Sequence, residues 1–518
     1  MTVKRFETQA SAVGQAREVR IGDASLTLTD VWQVARGGAT VVLADSARAG
    51  VRASRERVAA AVARGRPVYG VNTGFGKLAD VPVSAQDTAL LQRNLIRSHA
   101  CAVGAPASRD VVRAMMLLRA HALARGYSGV REETLTLLVE CLNAGVTPRV
   151  PEQGSLGASG DLAPLAHLAL VLMGEGEASV DGDFMPGAAA LAQVGLEAVE
   201  LDAKEGLALI NGTQYMTAIG SLALIRAQRL AEAADAACAL SFEAARAIRD
   251  ALAPELHTLR PHPGQAAAAA NLRTWLQGSG RTTAQGQVRV QDAYSLRCAP
   301  QVHGATRQVL AHVQDVLVTE MSAVTDNPLV LEDGRILSCG HFHGQPVALA
   351  LDYLKIGVSE LANISERRTE RLVNPALSGL PAFLARDPGL SSGLMIVQYV
   401  AASLVSENKV LAHPASVDSI PSSAGQEDHV SMGATAARQA YVITDNVARV
   451  LAIELICAAQ AIDLQGASDQ LAPRTRALYA QVRARSPQVR EDRSLAGDIE
   501  RVAAFVIDPN LKLAEVSS

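Results

Sequence analysis

The stretch Gly154-Ser155-Leu156-Gly157-Ala158-Ser159-Gly160-Asp161-Leu162-Ala163-Pro164 holds the densest group of residues with chemical meaning. In the order Ala158-Ser159-Gly160, the Gly160 amide nitrogen can attack the Ala158 carbonyl carbon, because glycine has no side chain to block so close an approach. One water is lost as a five-membered ring closes. Loss of the Ser159 hydroxyl as a second water leaves an exocyclic methylidene, a strong electrophile. The same residues also read as a glycine-rich loop in which Asp161 caps a helix and Pro164 sits in its first turn. No Lys-Ser/Thr pair follows the glycines, as a phosphate loop requires, and Gly157-Ala158-Ser159-Gly160 is not G-x-S-x-G.

Gln291, Tyr294 and Arg297 recur every third residue, which on a helix puts an amide, a phenol and a guanidinium on one face. Arg297 can grip a carboxylate through two parallel hydrogen bonds; the same spacing fits a surface ion-pair stripe. Tyr69, in Val68-Tyr69-Gly70-Val71-Asn72-Thr73-Gly74-Phe75-Gly76, reads on its own as an amphipathic interface tyrosine. Asn211 precedes Gly212 as in a turn or cap, although its flanks are helical in period. Ser98-His99 reads as helical packing, and Ser423 with Gln426 as a capping box that places Glu427 in a first helical turn. His341 and His343 flank Phe342, but no further ligands stand at metal-site spacing, so no metal is assigned.

The elements that must position these residues are mainly helical. The chain has 518 residues, only 3% aromatic, and is rich in Ala and Leu, a composition suited to closely packed helices. Helical periodicity runs with breaks from about Ala85 to Ala144, over Leu162–Met173, and then over about Gly206–Ala253, Thr306–Met321, Pro346–Arg371, Ile396–Ala412 and Ser431–Gln465. Val68-Tyr69-Gly70-Val71 reads as a short strand entering a turn, and Thr325-Asp326-Asn327-Pro328 as a turn. The expected fold is mainly α: a long central helix bundle and a smaller irregular N-terminal lobe carrying the active-site loops. The expected division is 1–205 for that lobe, 206–470 for the bundle and 471–518 for a C-terminal helical segment.

A formal net charge of −4 with no long charged run argues against nucleic-acid or membrane-surface partners. Met1 to Arg20 lacks the apolar stretch of a secretory signal, no apolar run reaches a membrane span, and the six cysteines are scattered. A reduced cytoplasmic enzyme acting on a small molecule is the expectation.

Gly-Ser-Leu-Gly-Ala-Ser-Gly-Asp-Leu-Ala-Pro-Leu-Ala-His resembles the signature of the histidine, phenylalanine and tyrosine ammonia-lyases, and the resemblance extends from about Leu26 to about Asp492. It implies a 4-methylidene-imidazol-5-one prosthetic group formed from Ala158-Ser159-Gly160, with no external cofactor. It further implies that Tyr69 removes the substrate β-proton and that Asn211 lies on the substrate side. Phe342 would line the pocket, Tyr294 would be catalytic alongside Tyr69, and Gln291 and Arg297 would bind the substrate. A tyrosine, with a pKa of about 10, needs a site that favours its phenolate, so positive charge near Tyr69 is expected. The resemblance also implies a homotetramer whose active sites each draw on three chains.

Within that family Ser98-His99 falls at the selectivity position, and Glu427 matches the glutamate that faces the imidazole in histidine lyases. L-Histidine, giving trans-urocanate and ammonia, is therefore the expected substrate. His341, Gln345 and Gly425 depart from the histidine-lyase pattern, which keeps tyrosine elimination to p-coumarate as an alternative; an aminomutase would share the same residues.

Overall fold

The computed structural model describes residues 17–65 and 67–514; the stretch read above for a leader lies outside them up to residue 16. Nineteen α-helices and nine short strands among the described residues make the chain mainly α. No helix among them is long and apolar enough to cross a membrane.

Contacts divide the chain into two compact units, each built from three separated segments. The first comprises 1–222, 314–352 and 414–438, and the second 223–313, 353–413 and 439–518. The linear division at 205 and 470 does not follow these units. The physical reason lies in helix length: the 31-residue helix Gln214–Ala244 runs about 46 Å, and it contributes residues to both units.

In the first unit, Arg17–Ile21 and Ala39–Leu43 pair in parallel from Arg17↔Ala39 to Ile21↔Leu43, alternate residues facing the core. Helix Leu28–Ala35 connects them, its start fixed by a capping box between Thr27 and Asp30. Three further helices pack against one another: Thr88–His99, Leu162–Leu172 and Glu205–Ile210. Their ends carry the site. Ser98 and His99 close the first, Ala158-Ser159-Gly160 leads into the second, and Asn211 terminates the third. Leu162–Leu172 is held by near-complete burial of its aliphatic side chains, Leu165, Leu168 and Val171 all being 0% exposed.

The second unit holds the remainder of the long helices, joined by buried polar pairs. Arg368, from Gln345–Val373, meets Glu454, from Gly433–Leu464, at 2.8 Å through its second guanidinium nitrogen, and the Ser241 hydroxyl of Gln214–Ala244 donates to the same carboxylate at 2.6 Å. Asp235 accepts from His303 at 2.7 Å, from Asn271 at 3.0 Å and from Arg307. Around these pairs Phe242, Leu272, Leu296 and Ile364 form one apolar cluster.

Two local expectations differ from what is found. Val68–Val71 forms a turn and no strand, because the Asn72 side-chain oxygen accepts the Val68 amide at 2.7 Å and closes the chain on itself. The segment from Gly206 to Ala253 is not one helix: it breaks between Ile210 and Gln214, where Asn211 is extended at φ −89° and ψ 100°.

Since Arg368 and Glu454 are 1% and 0% exposed, removing one partner strands the other charge in the core. Arg368→Met is expected to cost about 3–5 kcal/mol in urea unfolding, and the double replacement with Glu454→Leu to recover most of that loss.

Candidate active site

The tripeptide is strung between two anchors. On its N-terminal side the Ser431 hydroxyl donates to the Gly157 carbonyl at 3.1 Å and the Met432 amide to the Leu156 carbonyl at 2.8 Å. On its C-terminal side the Asp161 amide donates to the Gly212 carbonyl at 2.7 Å. Gly160 lies at φ +72°, and a Cβ there would overlap the Gly212 backbone, so only glycine fits.

Asp161 does not cap its helix. Its buried carboxylate accepts from the Met216 amide at 2.9 Å and the Ser155 hydroxyl at 2.8 Å. Burial, partly offset by those donors, pushes the Asp161 carboxyl up to about 7.

The Ser159 hydroxyl donates to one Glu427 oxygen at 2.8 Å, and the Ser422 hydroxyl to the other at 2.6 Å. Ser423 and Gln426 make no capping box: Ser423–Gly425 is a single 3-10 turn without a side-chain cap, and the next helix begins only at Gly433. The loop closes instead through Ser422 and Glu427, whose backbones pair as an antiparallel bridge.

Tyr69 is half-buried, its ring edge-on to Phe75 at 6.4 Å, and its oxygen accepts the Gly76 amide at 3.4 Å. Burial raises the phenol above its ordinary value of 10.0, the Gly76 amide opposes this, and the Glu427 charge adds to the rise. The positive charge expected beside Tyr69 is therefore not what governs it among the described residues. Desolvation and a carboxylate outweigh a single amide donor.

His99 is lowered below 6.5 by burial, against the Leu95 carbonyl and Glu427, which favour its charged form. Its Nδ1 lies 2.9 Å from the Leu95 carbonyl oxygen, which can only accept; a neutral ring donating there leaves Nε2 as an acceptor. Ser98 donates to the same carbonyl at 3.0 Å.

Asn211 is 3% exposed, and its side-chain oxygen has no hydrogen-bond partner among the described residues. Phe342 is half-buried in the turn before Gln345–Val373, where Gly344 leaves no room for a Cβ against Met216 and Ser431.

The first unit thus gathers Tyr69, Ser98, His99, Ala158, Ser159, Gly160, Asn211, Phe342 and Glu427. Gln291, Tyr294 and Arg297 belong to the second unit. Only Tyr294–Arg297 is helical there, so Gln291 does not share a helical face with the other two. The Arg297 guanidinium lies 4.6 Å from the centre of the Tyr294 ring and donates to the Asp292 carbonyl at 3.0 Å, while Tyr294 is 71% exposed.

One participant carries no motif of its own: Ser422 is visible only as half of a Ser-Ser pair.

Residues 26–484 match the sequence model of the aromatic amino acid lyases. The chain belongs to the aromatic amino acid lyase family. Within it the chain falls with the ammonia-lyases. It is 62% identical over 492 residues to the histidine ammonia-lyase of Symbiobacterium thermophilum, covering 95% of this chain and 97% of that one. It is 58% identical to that of Geobacillus thermodenitrificans, covering 93% and 96%. Among solved structures, histidine ammonia-lyase from Trypanosoma cruzi superposes with a TM-score of 0.88 at 45% identity, covering 94% and 93%. A tyrosine aminomutase from Streptomyces globisporus reaches 0.91 at 41% identity, covering 95% and 97%. The aromatic amino acid lyase fold therefore spans both outcomes for the amine, and the fold alone does not choose between them.

Glu427 is negative toward both Tyr69 and His99, disfavouring phenolate and favouring imidazolium. Glu427→Gln is expected to lower the pKa of both groups. The Tyr69 transition, identified by its disappearance in Tyr69→Phe, is followed by phenolate absorbance, and His99 by NMR of its ring protons.

Proposed function

We propose that this chain eliminates ammonia from L-histidine to give trans-urocanate, using a 4-methylidene-imidazol-5-one made from Ala158-Ser159-Gly160 and no external cofactor. The observation that carries the reading is the 2.8 Å hydrogen bond from Ser159 to Glu427. It puts the residue that would become the electrophile beside a carboxylate able to receive a ring N–H. High identity to histidine ammonia-lyases supports the choice of substrate.

The surroundings of the tripeptide fit such a ring. Gly160 is already in the left-handed region with its successor fixed to Gly212, and Ala158 is packed with Val430 and Met432. Once formed, the methylidene supplies an electrophile that draws electrons from the substrate and makes its nitrogen a better leaving group.

The side chains do the rest. Tyr69 takes the β-proton, and Asn211 and Arg297 hold the carboxylate, the guanidinium in two-point fashion. Tyr294 and Gln291 complete the polar wall, and Phe342 lines the pocket. At the ring end stand two acceptors, the Glu427 carboxylate and His99 Nε2. An imidazolium presents two N–H donors to such a pair, whereas a phenol presents one.

We infer also that the enzyme is a cytoplasmic homotetramer whose shared sites are where Gln291, Tyr294 and Arg297 join the set. Exposed apolar side chains support it: Ile396 is 58%, Tyr399 59% and Val410 70% exposed along the helix Met395–Leu411.

Three measurements bear on the catalytic reading together. The intact chain is expected to weigh two waters less than its sequence, incubation with histidine to produce urocanate absorbance, and Ser159→Ala to abolish both the second water loss and turnover. Coumarate from tyrosine without urocanate, or a β-amino acid without free ammonia, would replace the substrate or the reaction. For the assembly, active enzyme is expected to sediment as four chains. An active monomer would end that part of the reading.

A further inference from the structure

Arg119 lies in the helix Arg109–Ala124 and is 0% exposed, and among the described residues no carboxylate pairs with it directly: Asp326, bound to Lys204 at 2.8 Å, favours its charge only from farther away. A guanidinium taken out of water without an anion is costly unless its donors are used. Here Nε has no partner among the described residues, and the two terminal nitrogens converge on one short segment. Nη1 donates to the Asn211 carbonyl at 3.0 Å and to the Gln214 side-chain oxygen at 2.8 Å, and Nη2 to the Ala208 carbonyl. Burial lowers the guanidinium to about 10, which still leaves it charged at neutral pH.

That segment is the C-terminal anchor of the tripeptide. Gly212 follows Asn211, its carbonyl accepts the Asp161 amide at 2.7 Å, and Gly160 and Gly212 pair as a parallel bridge. A Cβ on Gly212 would meet Arg119 Nη1 and the Thr325 carbonyl, each at 2.5 Å, so the cation lies directly behind the glycine that touches Gly160. The Gln214 amide also donates to the Thr325 hydroxyl at 2.6 Å, and Thr213 donates to Glu320.

We propose that Arg119 is a positioning residue for the chain's own ring closure, holding Asn211-Gly212 against Gly160 so that the Gly160 nitrogen is kept near the Ala158 carbonyl carbon. The inference rests on the methylidene-imidazolone reading. In the closure a bond forms between the Gly160 nitrogen and the Ala158 carbon. The Ala158 oxygen leaves as water with the amide hydrogens of Gly160 and Ser159, creating a C=N bond to the Ser159 nitrogen. The second water takes the Ser159 hydroxyl and that residue's Cα hydrogen. Arg119 exchanges no proton in either loss. With Gly157 fixed by Ser431, the reacting atoms are brought together only while the far anchor is also fixed, and a misplacement on the order of 1 Å in such a geometry costs about a hundredfold in rate.

The test is the rate of mass loss in full-length chain made by cell-free synthesis and followed by intact mass spectrometry, with circular dichroism and thermal midpoint recorded for each variant. Wild type is expected to lose two waters. Arg119→Met, folded by those criteria, is expected to lose them about a hundredfold more slowly. Arg119→Lys, which keeps a donor to the carbonyls, and Gln214→Met, which removes one acceptor, are expected to fall between. Wild-type rates in folded Arg119→Met overturn the inference. Should that variant not fold, wild-type rates in both Arg119→Lys and Gln214→Met overturn it equally. Absence of mass loss in wild type overturns the methylidene reading itself, and the two failures are thereby told apart.

Discussion

The hydrogen bond from the Asp161 amide to the Gly212 carbonyl, 2.7 Å long, holds two backbones together with no side chain between them. Glycine on both sides is a geometric requirement, since a Cβ at Gly160 would overlap Gly212 and a Cβ at Gly212 would meet Arg119. The contact needs support from behind, because nothing apolar can fill a gap that backbone occupies. It receives that support from polar groups: the buried Asp161 carboxylate fastened to the Met216 amide, and the Arg119 guanidinium spread over three acceptors. This explains why two ionisable side chains sit where aliphatic packing would otherwise be expected. Each satisfies backbone groups that the break between Ile210 and Gln214 leaves without helical partners.

Electrostatics at the opposite wall run against a simple view of the base. Tyr69 is kept protonated by burial and by Glu427, and only the Gly76 amide opposes them. Within the first unit, burial and Glu427 thus both work against a phenolate at Tyr69. The proposed role of Tyr69 requires a positive group from elsewhere, and Arg297, which already lies against the Tyr294 ring, is a cation of the right kind. This couples assembly to catalysis: joining chains would deliver the carboxylate clamp and, with it, the charge that stabilises a phenolate.

Much of this arrangement was legible in the sequence because it rests on residue type and order. Ala158-Ser159-Gly160 has a chemical reading that needs each member, and the long apolar segments gave four helices within a few residues of their observed ends where no side chain competed with the backbone, while the one expected from Thr306 starts at Ala299. What escaped depends on such competition. Asn72 folded an apparent strand into a turn, the loop closed through Ser422 and Glu427 where a capping box of Ser423 and Gln426 was expected, and Asp161 turned from its own helix toward Met216. The three-residue spacing of Gln291, Tyr294 and Arg297 suggested a helical face, but the helix starts only at Tyr294. Arg119 was invisible for another reason: its meaning comes from segments about ninety residues away, and no local pattern reports such a contact.

In the proposed site, the ring end would separate histidine from tyrosine by counting donors. With Nδ1 donating to the Leu95 carbonyl, a neutral His99 would meet a ligand as an acceptor, and Glu427 would be free to accept once Ser159 no longer donates to it. That last condition matters. Before ring formation the Ser159 hydroxyl satisfies the same carboxylate oxygen that a substrate N–H would need, and loss of that hydroxyl as water removes the competitor. On the proposed chemistry, formation of the electrophile and release of the Glu427 carboxylate would be one chemical event. A chain that has not matured would be poor at binding the ring as well as at activating the amine. A phenol could occupy one of the two acceptors but would leave the other desolvated and unpaired, a cost an imidazolium does not incur.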